Sequence, residues 1–116
     1  MNTAREVATD APYIDVMAAA DLPPGTQCVH VIGTRRVLLC HPQGQGIFAV
    51  SDMCPHARQP LSGGTMNGSS ITCLKHGARF DLGNGQPLNG VCKKALQTFE
   101  IRIRDERIEV FLPVAP

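Results

Sequence analysis

Residues 54–76 read Cys-Pro-His-Ala-Arg-Gln-Pro-Leu-Ser-Gly-Gly-Thr-Met-Asn-Gly-Ser-Ser-Ile-Thr-Cys-Leu-Lys-His. Each end of this stretch carries one cysteine and one histidine, Cys54 with His56 and Cys73 with His76, and sixteen residues separate the two elements. Neighbours on one helix face recur three or four residues apart, so Cys54 and His56 cannot share such a face and a turn must present them. Cys-x-x-His is likewise a tight knuckle. The stretch therefore reads as two short loops that offer two thiolates and two imidazoles.

Two chemistries accept that ligand set. A structural zinc ion takes Cys and His in a closed tetrahedron, but its motifs usually pair like with like, two cysteines followed by two histidines. A mixed Cys/His order repeated in both knuckles is the pattern of a Rieske [2Fe–2S] centre, in which imidazoles replace two of the four thiolates on one iron. Charge counting says why a cluster would use it. Two ferric ions, two sulfides and two thiolates sum to zero, whereas four thiolates would make the same oxidised centre doubly negative. An electron enters the neutral centre more easily, so its potential is higher. Imidazole also titrates near neutrality, which allows protonation to couple to redox state.

Length and charge limit the remainder. With 116 residues and a formal net charge of +1, the chain supports one domain and offers no argument for nucleic acid or an anionic membrane as partner. No apolar run approaches a spanning helix, and Met1–Ala11 has no hydrophobic signal region, so a soluble cytoplasmic protein is expected. Five cysteines fit that compartment. Cys28, Cys40 and Cys92 lack framework spacing; Cys28 and Cys40 read as small buried hydrophobes. His30 and His41 read as ordinary strand or strand-end residues.

Outward from the knuckles the chain reads as strands. Residues 1–11 read as a disordered or poorly ordered start, and 12–116 as a single domain. Tyr13–Ala18, Cys28–Ile32, Val37–Cys40 and Ile47–Val50 are short apolar segments bounded by Gly and Pro, with hairpin turns at Gly33-Thr34 and Gln43–Gly46. In Gln97–Arg104, Phe99, Ile101 and Ile103 alternate with polar residues, the period of a strand with one buried face. A turn near Asp105 leads into Ile108, Val110 and Leu112, which continue the alternation until Pro113 and Pro116 end the ladder. Basal strands thus occupy about 12–53 and 91–113. Between them, Cys54–Gly90 carries seven of the eleven glycines and reads as a loop-rich insertion rather than core.

From about Asp15 to Leu112 the chain resembles the Rieske-type ferredoxins of bacterial aromatic-ring-hydroxylating and related multicomponent oxygenase systems. The resemblance rests on Ala20-Asp21-Leu22-Pro23-Pro24-Gly25, Cys54-Pro55-His56, Pro60-Leu61-Ser62-Gly63-Gly64, the run Cys73 to Asp81 and the closing hairpin, in that order. It implies an all-β Rieske iron–sulfur fold: a basal antiparallel sandwich or barrel with a cluster-binding subdomain at its tip. It also implies one [2Fe–2S] cluster, with His56 and His76 on the outer iron near solvent and Cys54 and Cys73 on the inner iron.

Departures from the respiratory branch of that family narrow the expectation. Those proteins carry an extra cysteine in each loop, joined as a disulfide; Gln59 and Lys75 stand at the matching places here. Their serine and tyrosine after the second knuckle are matched by Ala78 and Phe80. Two fewer donors lower the expected potential toward about −150 mV. Arg58, Lys75, Arg79, Lys93 and Lys94, with only Asp81 against them, push modestly the other way and offer a surface to acidic partners.

The functional expectation follows from what the chain lacks. A terminal oxygenase needs a two-His-one-carboxylate iron with open positions and a substrate domain; after the cluster ligands only His30 and His41 remain, and 116 residues leave no room for such a domain. No Gly-x-Gly-x-x-Gly dinucleotide fingerprint occurs. The chain is expected to be no enzyme itself but a monomeric one-electron shuttle, from a flavin-dependent NAD(P)H reductase to a terminal Rieske oxygenase. Two alternatives stand beside this: a tightly bound Rieske-like small subunit of another oxidoreductase such as nitrite reductase, and a zinc-stabilised interaction module.

Overall fold

Val37-Leu38-Leu39-Cys40 has no polar residue in it, and all four side chains are fully buried. Alternate strand residues point to opposite faces, so a strand without alternation must be covered on both sides. It lies in the middle of the molecule. The computed structural model describes residues 13–56 and 58–112; the poorly ordered start expected over 1–11 and the ladder-ending Pro113 and Pro116 lie outside the described residues.

Among the described residues, ten strands form three antiparallel sheets. The central sheet consists of β2 (Thr26–Ile32), β3 (Arg35–His41), β4 (Phe48–Ser51) and β8 (Thr98–Phe99), in the order β2-β3-β4-β8. β1 (Tyr13–Ala18), β9 (Ile101–Arg104) and β10 (Arg107–Phe111) form a second sheet in the order β1-β10-β9. β5 (Thr65–Asn67), β6 (Ser70–Thr72) and β7 (Arg79–Asp81) form the third. A single 3₁₀ turn, Ala19–Asp21, follows β1.

The two faces of β3 feed two separate cores. Leu38 and Cys40, with Val50 from β4, pack against Leu61, Ile71, Ala78, Phe80, Leu82 and the knuckle cysteines. Val37 and Leu39, with Ala49, pack against Leu22, Phe99, Ile108 and Val110 of the basal side. Each fully buried Leu or Val contributes about 1.5–3 kcal/mol, so the central sheet binds a basal layer and a knuckle layer to itself by the same means.

The strand readings hold, with ends moved by pairing. β2 starts two residues before Cys28 because Thr26 pairs with His41, and β3 starts at Arg35 because it pairs with Ile32 across the two-residue turn Gly33-Thr34. Gly33 has φ +64°, as such a tight hairpin requires.

Two readings need correction. Gln97–Arg104 is not one strand: Glu100 divides it, β8 pairing with β4 and β9 with β10. The chain changes sheets there, and the period-two pattern runs on unbroken because both sheets face the same core. The pattern also overreaches, since Ile103 is 52% exposed, beyond the last residue of that core. The second correction concerns 54–90. Glycine density suggested loop, yet Leu61, Ile71, Phe80 and Leu82 are almost wholly buried there and three short strands pair in register. Strands of three residues are too short to display a period.

Candidate metal centre

Both knuckles are closed by the same two hydrogen bonds. In the first, Cys54 N–H donates to the Gln59 carbonyl at 2.8 Å and Arg58 N–H donates to the Cys54 carbonyl at 2.7 Å. In the second, Cys73 N–H donates to the Ala78 carbonyl at 2.7 Å and Gly77 N–H to the Cys73 carbonyl at 3.0 Å. Each cysteine thus accepts from the fourth residue onward and donates to the fifth. That fourth residue has positive φ in both loops, +56° at Arg58 and +78° at Gly77. One loop plan is built twice.

The plan separates the four candidate ligands by depth. Cys54 and Cys73 are 0% and 2% exposed and belong to the same buried cluster. His56 and His76 are exposed, and their rings meet edge to face with centroids 5.0 Å apart. The structure thus brings the two cysteines into one buried cluster and the two histidine rings against each other at the surface. Histidine sits two residues after the first cysteine and three after the second, so the common loop aims the two rings from different sides toward one place.

This donor set fits a two-iron cluster, which takes two thiolates at one iron and two imidazoles at the other. A mononuclear zinc ion would need all four donors at one point. Among the described residues no three His, Cys, Asp or Glu side chains gather as a single-ion site.

Outside braces differ between the loops. Asp52, two residues before Cys54, is a fully buried carboxylate. Its Oδ1 accepts the backbone N–H of Leu61 at 3.0 Å and of Ser62 at 2.7 Å. Its Oδ2 takes Arg36 Nη2 at 2.9 Å and Nε at 3.2 Å. The carboxylate ties both ends of the first loop to the central sheet. Sequence reading missed it, because an Asp with its partner sixteen residues upstream has no spacing signature. The second loop leans on Asn89, whose Nδ2 donates to the Gly77 carbonyl at 2.8 Å. Leu88 N–H donates to the Arg79 carbonyl at 2.7 Å, so 87–91 is knitted to the second knuckle.

All five cysteines are among the described residues and none is in a disulfide. Burial, with the charge of Asp52 second, pushes the Cys40 thiol up to about 12; it stays protonated and acts as a core residue, as its sequence suggested. Cys28 departs from that reading, being only half-buried. His41 behaves as a strand-end residue, its Nδ1 lying 2.7 Å from the Leu22 carbonyl oxygen. The basic residues Arg58, Lys75, Arg79, Lys93 and Lys94 are exposed. Asp81 Oδ1 accepts the N–H groups of Gly83 and Asn84 in its own turn.

Comparison with known proteins gives the same answer from another side. The family model described as the Rieske [2Fe–2S] domain matches residues 13–100. Ferredoxin CarAc of Metapseudomonas resinovorans is 32% identical over 84% of this chain and 92% of its own length. The ferredoxin component of the naphthalene 1,2-dioxygenase system of Pseudomonas aeruginosa is 26% identical over 86% of this chain and 95% of its own. Among solved structures, a chain of the complex of reduced oxygenase and oxidised ferredoxin in carbazole 1,9a-dioxygenase superposes with a TM-score of 0.78 at 30% identity, covering 86% of this chain and 93% of that one. With twin knuckles of matching depth and donor set, the chain belongs to the Rieske [2Fe–2S] domain family, and its cofactor is one Rieske-type [2Fe–2S] cluster.

Proposed function

We propose that this protein is a one-electron carrier in which Cys54 and Cys73 hold the inner iron and His56 and His76 the outer iron. The observation that carries the reading is the pair of exposed imidazoles, 5.0 Å apart, in front of two buried thiols. When bound, the cluster supplies a single reversible electron. The chain's own residues do the rest. Buried thiolates anchor the centre in the knuckle-side core, and the two knuckle hydrogen bonds hold each cysteine backbone in place. The histidine edges give the shortest route to a partner. The chain is an electron-transfer component and not the catalyst of a reaction.

Its donor is a flavin-dependent NAD(P)H reductase and its acceptor a terminal oxygenase that attacks aromatic rings. The acceptor half of this is supported by the relatives named above, one a ferredoxin component of a naphthalene dioxygenase system and one from a complex of ferredoxin with an oxygenase. The surface around the histidines suits brief docking. Leu74 is 69% and Met53 47% exposed, and Arg58, Lys75, Lys93 and Lys94 supply positive charge, so an acidic surface with an apolar centre is the complement. A monomer acting in the cytoplasm fits this role and the absence of disulfides; no helix among the described residues is long and apolar enough to cross a membrane.

The test is spectroscopic. The purified protein is expected to be red-brown, and its dithionite-reduced form to give a low-temperature paramagnetic resonance with an average g well below that of an all-cysteine cluster. A colourless protein with stoichiometric zinc, purified anaerobically from iron-replete cells, overturns the carrier reading in favour of a zinc module.

A further inference from the structure

On the face of the central sheet turned away from the knuckles, three soft or borderline donors meet. His30 Nε2 lies 3.5 Å from Cys28 Sγ and 3.3 Å from Met17 Sδ. All three residues are half-buried. Alternation along β2 puts Cys28 and His30 on one face, while Val29 between them packs into the knuckle-side core. Met17 comes from β1. Asp15 pairs with Glu109 and Met17 with Ile108, leaving Val16 as an extra residue in the strand. This bulge lets the neighbours Val16 and Met17 both pack on the basal core, where a regular strand would send one of them outward.

As hydrogen bonding the arrangement is poor. One ring nitrogen faces two sulfurs, of which the thioether is a weak acceptor and the thiol a weak donor and weak acceptor. As a metal site it needs little movement. With bonds of about 2.0 Å to nitrogen and about 2.3 Å to sulfur, two donors on a tetrahedral ion stand about 3.5 Å apart. Thiolate and thioether are the ligands that select cuprous copper, and imidazole suits it too.

We propose that Met17, Cys28 and His30 form a second metal site that takes one cuprous ion. Binding replaces the thiol proton of Cys28 with the metal, releasing one proton, and the neutral imidazole coordinates through Nε2; no electron changes hands. The central sheet stands between this site and the knuckles, so copper need not disturb the cluster.

The experiment is an anaerobic competition of cluster-loaded protein with bathocuproine disulfonate for Cu(I), followed with the visible spectrum of the cluster. Wild-type protein is expected to withdraw one cuprous ion per chain from the chelator with the cluster spectrum unchanged. Copper-edge X-ray absorption is expected to show a mixed sulfur and nitrogen shell. Cys28→Ser should abolish the competition, and His30→Gln should weaken it. Met17→Leu, which keeps the apolar volume and serves if the Cys28 variant does not fold, should weaken it about tenfold, or about 1.4 kcal/mol. Cys92→Ser should leave it unchanged. The proposal is overturned if the chelator strips wild-type protein completely, if Cys28→Ser or Met17→Leu competes as well as wild type, or if each copper bound costs one cluster.

Discussion

The two knuckles share their backbone closure and differ in what surrounds it. Both use the same pair of hydrogen bonds about the cysteine and the same left-handed residue four positions on. The first is braced from inside by Asp52, a buried carboxylate that reaches two backbone amides and an arginine. The second is braced from outside by the exposed amide of Asn89. The first fills its left-handed position with arginine, the second with glycine. A cluster that bridges two loops needs them equal in shape, but nothing requires them to be equal in support, and the burial of each loop's neighbours decides which kind of brace is available.

The largest effect should come from the point where the loops are alike in function. If His56 and His76 serve one iron, then His56→Cys and His76→Cys should each lower the reduction potential by a similar amount. Because one imidazole remains in each variant, a fall part of the way from about −150 mV toward about −400 mV, the value of an all-cysteine cluster, is expected; the full span is equivalent to about 6 kcal/mol at 59 mV per tenfold change. Protein-film voltammetry on variants that keep their clusters reads this directly. An unchanged potential in either one would remove that histidine from the ligand set.

The braces should separate the loops next. Asp52→Ala leaves the amides of Leu61 and Ser62 without their acceptor, and denaturant unfolding of the cluster-loaded protein should show a loss of about 3 kcal/mol. Asn89→Ala removes three exposed hydrogen bonds, from Nδ2 to the Gly77 carbonyl and, at longer distance, from the N–H groups of Arg79 and Val91 to Oδ1, and being open to water these should cost together about 1 kcal/mol. Hydrogen exchange should place the first loss at the amides of 61–62 and the second at those of Arg79 and Val91, which donate to Asn89 Oδ1. Equal losses would mean that burial does not decide the strength of support.

The smallest contrast lies at the left-handed position. Gly77 has open space where a side chain would go, so Gly77→Ala meets only the backbone penalty for positive φ, about 1 kcal/mol. Arg58 already carries that penalty. Arg58→Gly relieves it while giving the unfolded chain more freedom to lose, so a change of under about 1 kcal/mol is expected. Thermal or denaturant midpoints of the two variants check the contrast; a larger loss from Arg58→Gly than from Gly77→Ala would show that the arginine side chain itself supports the first loop.

Much of the site was legible because its chemistry is local. Cys54, His56, Cys73 and His76 announce themselves by residue type and spacing, and a loop of five or six residues closes on its own hydrogen bonds. Asp52 was not legible, since its partners come from two separate parts of the chain, Arg36 on one side and Leu61 with Ser62 on the other. The grouping of Met17, Cys28 and His30 was equally hidden: Cys28 read as a small buried hydrophobe and His30 as an ordinary strand residue until β1 brought a third donor beside them. In the fold, the apolar runs and Gly/Pro boundaries located β1 to β4 and the closing hairpin. The same signals failed over 54–90, where frequent turns conceal strands of three residues and a core that includes Phe80 and Ile71.

By itself the sequence determined the donor set, its division into two knuckles, and strands whose alternation demands a buried face, because these depend on residues within a few positions of one another. The tertiary structure alone decided that β3 is buried on both faces, that the chain changes sheets at Glu100, and that Asp52 meets Arg36, Leu61 and Ser62. Those outcomes depend on which surfaces meet across long separations in the chain, and burial is a property of the meeting, not of either segment alone.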